Sequence, residues 1–341
     1  MLQDYKGIVS ATNLPTNTNV VKFSKGDVLL SNIRPYLKKV WYADKNGGCS
    51  ADVFVFKALP ICDSNFLHHV IANDRFIKFV MGGAKGVKMP RGDKEQMITY
   101  KVGLPCIEEQ KKIANLLSLL DERISTQNKI IEDLKKLKCA IIENVLNNCH
   151  DNKMRLGDVG IYIRGLTYSS KDVVEQKGTI VMRSNNIVSG GMLDYCNNIV
   201  RVNKQILQEQ QLQNGDVVIC MANGSSALVG KTSFYDGKCL SPITVGAFCG
   251  IYRSKKPITK WLFQTNRYHR NIWNSLQGGN GAIANLNGED ILRMSFPTPD
   301  KSTIGHCIKL LSSLDLLIKN NVSLYAMFSQ QKEYLLQQMF I

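Results

Sequence analysis

Gly224, Gly230, Lys231 and Thr232 stand in an order that resembles a phosphate-binding loop, where backbone N–H groups and a lysine cradle phosphates. The run has five residues between its glycines instead of four. The next residues, Ser233 to Lys238, do not read as the helix whose N-terminus would hold the phosphates. Nucleotide hydrolysis is therefore not the expected chemistry. The adjacent His68 and His69 point apart on a helix or strand, and the 10 cysteines include no C-x-x-C pair, so neither a metal site nor a cofactor is expected. No N/D-P-P-F/Y methyltransferase motif is present, nor G-x-S-x-G, nor H-E-x-x-H. Catalysis, if the protein takes part in any, is expected to come from partners.

What remains are residue types that read nucleic acid. Base edges in a major groove are recognised by Arg, Lys, Asn and Gln, and phosphate contacts add Ser, Thr and Tyr. In the C-terminal half, Arg164, Tyr168, Ser169, Arg183, Asn185, Asn186, Lys231 and Asn280 lie in or beside predicted loops. Arg34, Lys38, Lys39, Lys85, Lys88 and Arg91 are the analogous candidates in the N-terminal half. Taken singly, each is also what an ordinary solvated surface carries. The set is the stronger candidate.

The charge distribution supports that reading. Of a net charge of +15, residues 1–106 carry 15 Lys+Arg against 8 Asp+Glu, and residues 151–298 carry 17 against 10. The intervening residues 107–150 carry 7 and 7, and residues 299–341 carry 4 and 3. Two equally basic globular segments separated by near-neutral ones favour a polyanion as partner. A chain of 341 residues should hold about two domains. No apolar run approaches the roughly 18 to 20 residues that cross a bilayer. The opening Met-Leu-Gln-Asp-Tyr-Lys has neither a basic nor an apolar leader region. A cytoplasmic protein with reduced, mostly buried cysteines and no membrane partner is expected.

An internal repeat organises the elements that must position these residues. Residues 104–121 have a weaker counterpart at 298–315, with Pro105 and Asp121 matching Pro299 and Asp315 at an offset of 194. From Ile113 an apolar stripe steps alternately by four and three through Leu117, Leu120, Ile124, Gln127, Ile131, Leu134, Lys138, Ile141 and Val145. The same offset gives Cys307, Leu311, Leu314, Ile318, Asn321, Tyr325, Phe328, Lys332, Leu335 and Met339. An amide and a lysine interrupt both stripes at the same steps. A period of 3.5 residues predicts two long helices that pack on each other as a coiled coil, with the amides Gln127 and Asn321 fixing register.

The globular segments repeat more loosely. Lys25-Gly26-Asp27-Val28 resembles Asn214-Gly215-Asp216-Val217, a turn feeding a short β-branched strand. Residues 81–87 resemble residues 277–283, a glycine-rich loop after a predicted helix. Short strands, turns and few helices argue for α+β domains. Aligning the two turns places Met1 near Gly191 or Met192 of the second copy, so the first domain is expected to lack roughly its first 40 residues.

This order of elements resembles the specificity subunit of type I restriction-modification systems. The resemblance rests on Pro105, Gln110, Ile113, Ala114, Leu117 and Asp121; on the Gly26-Asp27 and Gly215-Asp216 strands; on Leu156-Gly157-Asp158-Val159; and on Gly278-Gly279 followed by Leu286. It implies an α+β protein in which two target-recognition domains alternate with two spacer helices that pack antiparallel, with pseudo-twofold symmetry. The domains would be residues 1–106 and 151–298, and the spacers 107–150 and 299–341. The spacers would pack through Ile113, Leu117, Leu120, Ile124, Leu134, Leu311, Leu314, Ile318 and Phe328.

The implied function is non-catalytic: binding double-stranded DNA at a bipartite target whose gap the spacers set, and docking two methyltransferase subunits and, through them, restriction subunits. Two departures stand out. The shortened first domain lacks the segment matching residues 156–190, and the second helix has Ile304 where the motif has glutamine. A coiled-coil adaptor or a silent copy without sequence-specific binding is the alternative.

Overall fold

A computed structural model describes residue 8 and residues 20–147, 152–188, 191–276 and 284–340. The chain divides into two compact units, one formed by Met1–Ile130 with Asn321–Ile341 and the other by Ile131–Asn320. Both long helices, Ile107–Asn147 and Lys301–Met339, cross that boundary, so each unit consists of a globular part and half of each helix. The class is the α+β mixture expected from the sequence.

In the N-terminal unit, Gly26 takes φ 92, which glycine adopts without strain, and turns the chain into the strand Val28–Ser31. The buried Asp27 carboxylate closes the turn by accepting from the Ser24 N–H at 2.8 Å. This strand lies between Val40–Tyr42 and Val53–Phe56, antiparallel to both. Alternation sends Val28 and Leu30 to one face, against Ile71, Phe76, Val80 and Met97, and Leu29 to the other, against Phe23 and Trp41. Three helices cover the first face. Each starts at a side chain that satisfies its free N–H groups: Asp63 for Ser64–Ala72, Asn73 for Asp74–Gly82 and Asp93 for Lys94–Ile98.

The Gln110 of the helix motif is fully buried in this unit. Its Oε1 accepts from the Asp63 N–H at 2.8 Å, and its Nε2 donates to the carbonyls of Ile61 and Pro105 at 3.0 and 2.8 Å. It clamps the start of the long helix to the start of the Ser64–Ala72 helix. Ala114 and Leu117 then pack on Phe66, Val70 and Phe340. Further along, Gln127 Nε2 donates to the Asn321 carbonyl at 3.3 Å and to its side-chain oxygen, and Lys332 bridges Asp121. These contacts run the two helix halves antiparallel.

The C-terminal unit repeats the turn. Gly215 takes φ 90, and Asp216 accepts from the Gln213 N–H at 2.7 Å. Its central strand Val217–Cys220 sits in a five-stranded sheet ordered Gly191–Met192, Thr232–Phe234, Val217–Cys220, Cys249–Ser254, Gly160–Arg164. Val217 and Ile219 pack with Trp261, Tyr268, Ile142, Leu146, Cys307 and Leu311. Val218 and Ile251, on the other face, meet Ile180 and Met182 of a second sheet of four strands. Here Lys138 Nζ reaches Asp315 at 2.9 Å, and the Trp261 Nε1–H donates to the other carboxylate oxygen at 2.9 Å.

The two lysine bridges join residues that the repeat exchanges. Asp121 and Lys138, advanced by 194, are Asp315 and Lys332, and Gln127 meets its own counterpart. Of the expected packing residues, Leu117, Leu120, Leu311 and Leu314 are buried, while Ile113, Ile124, Leu134, Ile318 and Phe328 are half-buried.

Candidate nucleic-acid interface

Three loops of the C-terminal unit converge at the ends of its strands. The Leu166 N–H donates to the Val245 carbonyl at 2.7 Å, and the Gly246 N–H to the Met182 carbonyl at 2.8 Å. This draws together the loop after Gly160–Arg164, the loop after Thr179–Met182 and the turn before Cys249–Ser254. Gly165 is required at the junction, because a Cβ there would run into the Gly246 carbonyl. Between the loops lies a cleft of about 440 Å³, whose lining includes Tyr168, Arg183, Ser184, Asn185 and Phe248.

Three of the expected readers, Tyr168, Arg183 and Asn185, thus share one cleft. Arg183 is exposed, and its guanidinium donates to the Asn198 carbonyl at 3.4 Å. Asn186 is buried instead. Its Oδ1 accepts from the Arg183 N–H at 3.0 Å and its Nδ2 donates to the Asn197 carbonyl at 2.8 Å, so it shapes the loop that presents Arg183. Ser169 likewise serves its own loop, donating from N–H and Oγ to Asp172 at 2.7 and 3.0 Å. Arg164 is exposed at its strand end but does not line the cleft, and Lys231 is half-buried. Asn280 and the glycine-rich residues 277–283 lie outside the described residues. Burial pushes the Cys249 thiol at the cleft up to about 12, so it stays protonated and has no nucleophilic role. The loop-like run at 224–232 leads into the strand Thr232–Phe234 rather than a helix, as its sequence suggests.

In the N-terminal unit two loops lean on each other. The Arg34 N–H donates to the Pro90 carbonyl at 2.8 Å, and Lys85 and Arg91 exchange backbone hydrogen bonds at 2.9 Å each. Arg34 and Lys38 take left-handed φ values of 53 and 51 on either side of the short helix Pro35–Leu37. Such conformations are costly for residues with a Cβ and concentrate at functional loops. Arg34 Nε is buried and has no hydrogen-bond partner among the described residues. Lys85 bridges Asp93 at 2.8 Å, Arg91 bridges Asp52 at 3.1 Å, and Lys38 bridges Asp74. Lys88 is exposed and Lys39 half-buried.

Part of this N-terminal scaffold recurs in the C-terminal unit, beside the cleft. Ser31 N–H donates to the Lys39 carbonyl at 3.0 Å, as Cys220 N–H does to Lys231 at 2.9 Å. The preceding residues, Lys38 and Gly230, are both left-handed. Ile33 pairs with Arg91, as Ala222 pairs with Asn285.

Residues 5–136 match the family model described as "Type I restriction modification DNA specificity domain". Parts of the chain are also similar to type I specificity subunits. The chain is 32% identical over 132 residues to the StySPI specificity subunit of Salmonella potsdam, which covers 37% of this chain and 27% of that subunit. It is 29% identical over 182 residues to the EcoKI specificity subunit of Escherichia coli K12, covering 49% of this chain and 36% of that one. The matched stretches therefore span about a third of these specificity subunits' own length.

The S subunit of a type I system from M. genitalium shares the fold, with a TM-score of 0.62 at 15% identity, over 98% of this chain and 87% of that one. A structure described by complex assembly and conformational transition of a type I system aligns over 99% and 88% at a TM-score of 0.50 and 18% identity. Among the described residues no helix is long and apolar enough to cross a membrane, and no group of three His, Cys, Asp or Glu could hold a metal ion.

Sequence reasoning missed Phe248 and Ser184. Phe248 follows Ile243-Thr244-Val245-Gly246-Ala247 and precedes Cys249, a run that reads as buried strand. Only the turn at Gly246 brings the ring outside.

Proposed function

We propose that this protein is the non-catalytic DNA-reading subunit of a type I restriction-modification complex, with each unit contacting one half of a bipartite double-stranded target. The observation that carries this reading is the recurrence of one loop scaffold in both units, bearing Arg34, Lys85, Lys88 and Arg91 in one and, in the other, joined through Asn223 and Ser184 at 3.3 Å to the cleft of Tyr168, Arg183 and Asn185, whose loops have no counterpart among the described N-terminal residues. Exposed arginine and lysine bind phosphates, while arginine and asparagine also read base edges.

The long helices offer a face for the methyltransferase subunits. Leu116, Ile130 and Leu137, and at the 194 offset Leu310 and Leu324 with Leu317 between them, are exposed at heptad spacing. This second apolar stripe is not the one the helices use for each other. Cytoplasmic function follows from such partners.

The test is co-purification with the methyltransferase subunit of the same system, followed by mapping of methylated adenines in a host that carries both genes. A discontinuous methylated motif is the expected result. A complex that leaves the DNA unmethylated would mark a silent copy, and no complex at all would favour a coiled-coil adaptor.

A further inference from the structure

We infer that one turn position sets base preference in each unit: Phe248 in the C-terminal unit and Asp52 in the N-terminal unit. The inference rests on the DNA-reading function proposed above and names residues that would carry it out.

The two positions are equivalent by hydrogen bonding. The Met221 N–H donates to the Phe248 carbonyl at 2.9 Å, and the Asn32 N–H donates to the Asp52 carbonyl at 2.8 Å. Met221 and Asn32 each directly follow the central strand of their unit. Each turn also leads into the strand that pairs with the central one, Cys249–Ser254 in one unit and Val53–Phe56 in the other.

The Phe248 turn is held at several points. The Phe248 carbonyl accepts a second hydrogen bond, from the Ala222 N–H at 3.2 Å, and Cys249 N–H donates to Gly246 at 2.8 Å. The ring nonetheless stands 69% exposed at the rim of the cleft that holds Tyr168, Arg183 and Asn185. An aromatic ring fixed outward beside hydrogen-bonding side chains is suited to a base edge, by touching a thymine methyl in the major groove.

Asp52 instead presents an acceptor, paired at 3.1 Å with an Arg91 that is itself half-exposed. A carboxylate at a DNA surface accepts from the exocyclic amine of cytosine. Neither residue suits a phosphate, since the ring has no donor and the carboxylate repels the anion. Base edges are the contacts left to both.

Duplexes selected from a random pool by the full chain in complex with its methyltransferase subunits test the inference. Phe248→Asp and Asp52→Phe should each alter the selected sequence in one half only, and in different halves. Binding of each to the wild-type motif should fall about ten-fold or more, the usual effect of losing one base-edge contact. Phe248→Tyr, which keeps the ring, should retain the wild-type motif, and Asp52→Asn should shift preference away from cytosine at its position. Both side chains are at the surface, so thermal unfolding should stay at the wild-type temperature. Variants that select the unchanged motif with affinity within about two-fold of wild type would overturn the inference and leave the DNA-reading function standing. A wild-type complex that selects no motif would overturn both.

Discussion

The two units share a central strand, a Gly-Asp turn and a loop scaffold, yet differ in what surrounds them. In the C-terminal unit the strand Cys249–Ser254 is flanked by Gly160–Arg164, and Thr232–Phe234 by Gly191–Met192. In the N-terminal unit their counterparts Val53–Phe56 and Val40–Tyr42 are sheet edges among the described residues. The side chains agree with that difference. A Cβ on Gly250 or Gly288 would overlap the Tyr162 ring of the flanking strand. The pairings Val217 with Tyr252 and Val28 with Phe56 make Phe54 the counterpart of Gly250, and the caps Asn287 and Asp93 make Lys94 that of Gly288. Larger residues therefore stand where the flanking strand's aromatic would lie. Among the described residues, the N-terminal unit packs three strands against capped helices. In the C-terminal unit the loop after the flanking strand Gly160–Arg164 supplies Leu166 and Tyr168 to the cleft, and the loop after Thr179–Met182 of the second sheet supplies Arg183, Ser184 and Asn185.

The largest expected contrast lies in the two equivalent lysine bridges. Lys138 and Asp315 have side chains only 3% and 11% exposed, whereas Lys332 and Asp121 are 17% and 39% exposed. Lys138→Ala leaves the Asp315 carboxylate buried with Trp261 and, at 3.7 Å, Lys260 as its partners, and should cost about 2–3 kcal/mol. Lys332→Ala should cost about 1 kcal/mol or less. Urea denaturation measures both, and equal losses would break the comparison.

Gln110→Leu comes next. It strands one N–H and two carbonyls at the helix start and should destabilise the N-terminal unit by about 2 kcal/mol in the same assay. The C-terminal unit has Ile304 there and would not share the loss.

A smaller contrast separates the two turn aspartates. Asp216 also holds Arg253 through two hydrogen bonds at 2.9 and 2.7 Å, while Asp27 serves its turn. Asp216→Ala should cost about 2 kcal/mol against about 1 for Asp27→Ala. Thermal melts showing the reverse order would contradict the assignment.

Acid should distinguish the units most gently. Burial, then the charges of His68 and Lys332, hold His69 down to about 3, and burial holds His68 down to about 4, against an ordinary 6.5. The unfolded chain therefore binds more protons than the folded one below about 6.5, so stability is complete above that pH and declines as pH falls toward about 3. Hydrogen exchange at pH 5 should show the N-terminal unit opening more than at pH 7, with His69→Gln flattening the difference. No change with pH would show that these rings are not buried neutral.

The helix seam was legible because its interruptions recur at the same steps. The meaning of Lys138 was not, because its carboxylate partner lies 177 residues away. Gln110 was visible as a motif residue, but its role as a clamp depends on carbonyls from a loop that periodicity does not place. Tyr168, Arg183 and Asn185 were identified by residue type and loop position. Asn186, next to them, was not separable from a reader by sequence, since only the fold turns its amide inward. Phe248 was hidden by the apolar run around it.

Each unit is proposed to read its own half of a target. The most direct test is pool selection by the methyltransferase complex of a chain carrying Arg34→Ala, Lys85→Ala, Lys88→Ala and Arg91→Ala together. The account predicts that preference disappears from one half of the selected motif and persists in the other. Loss of both halves, or of neither, would contradict it.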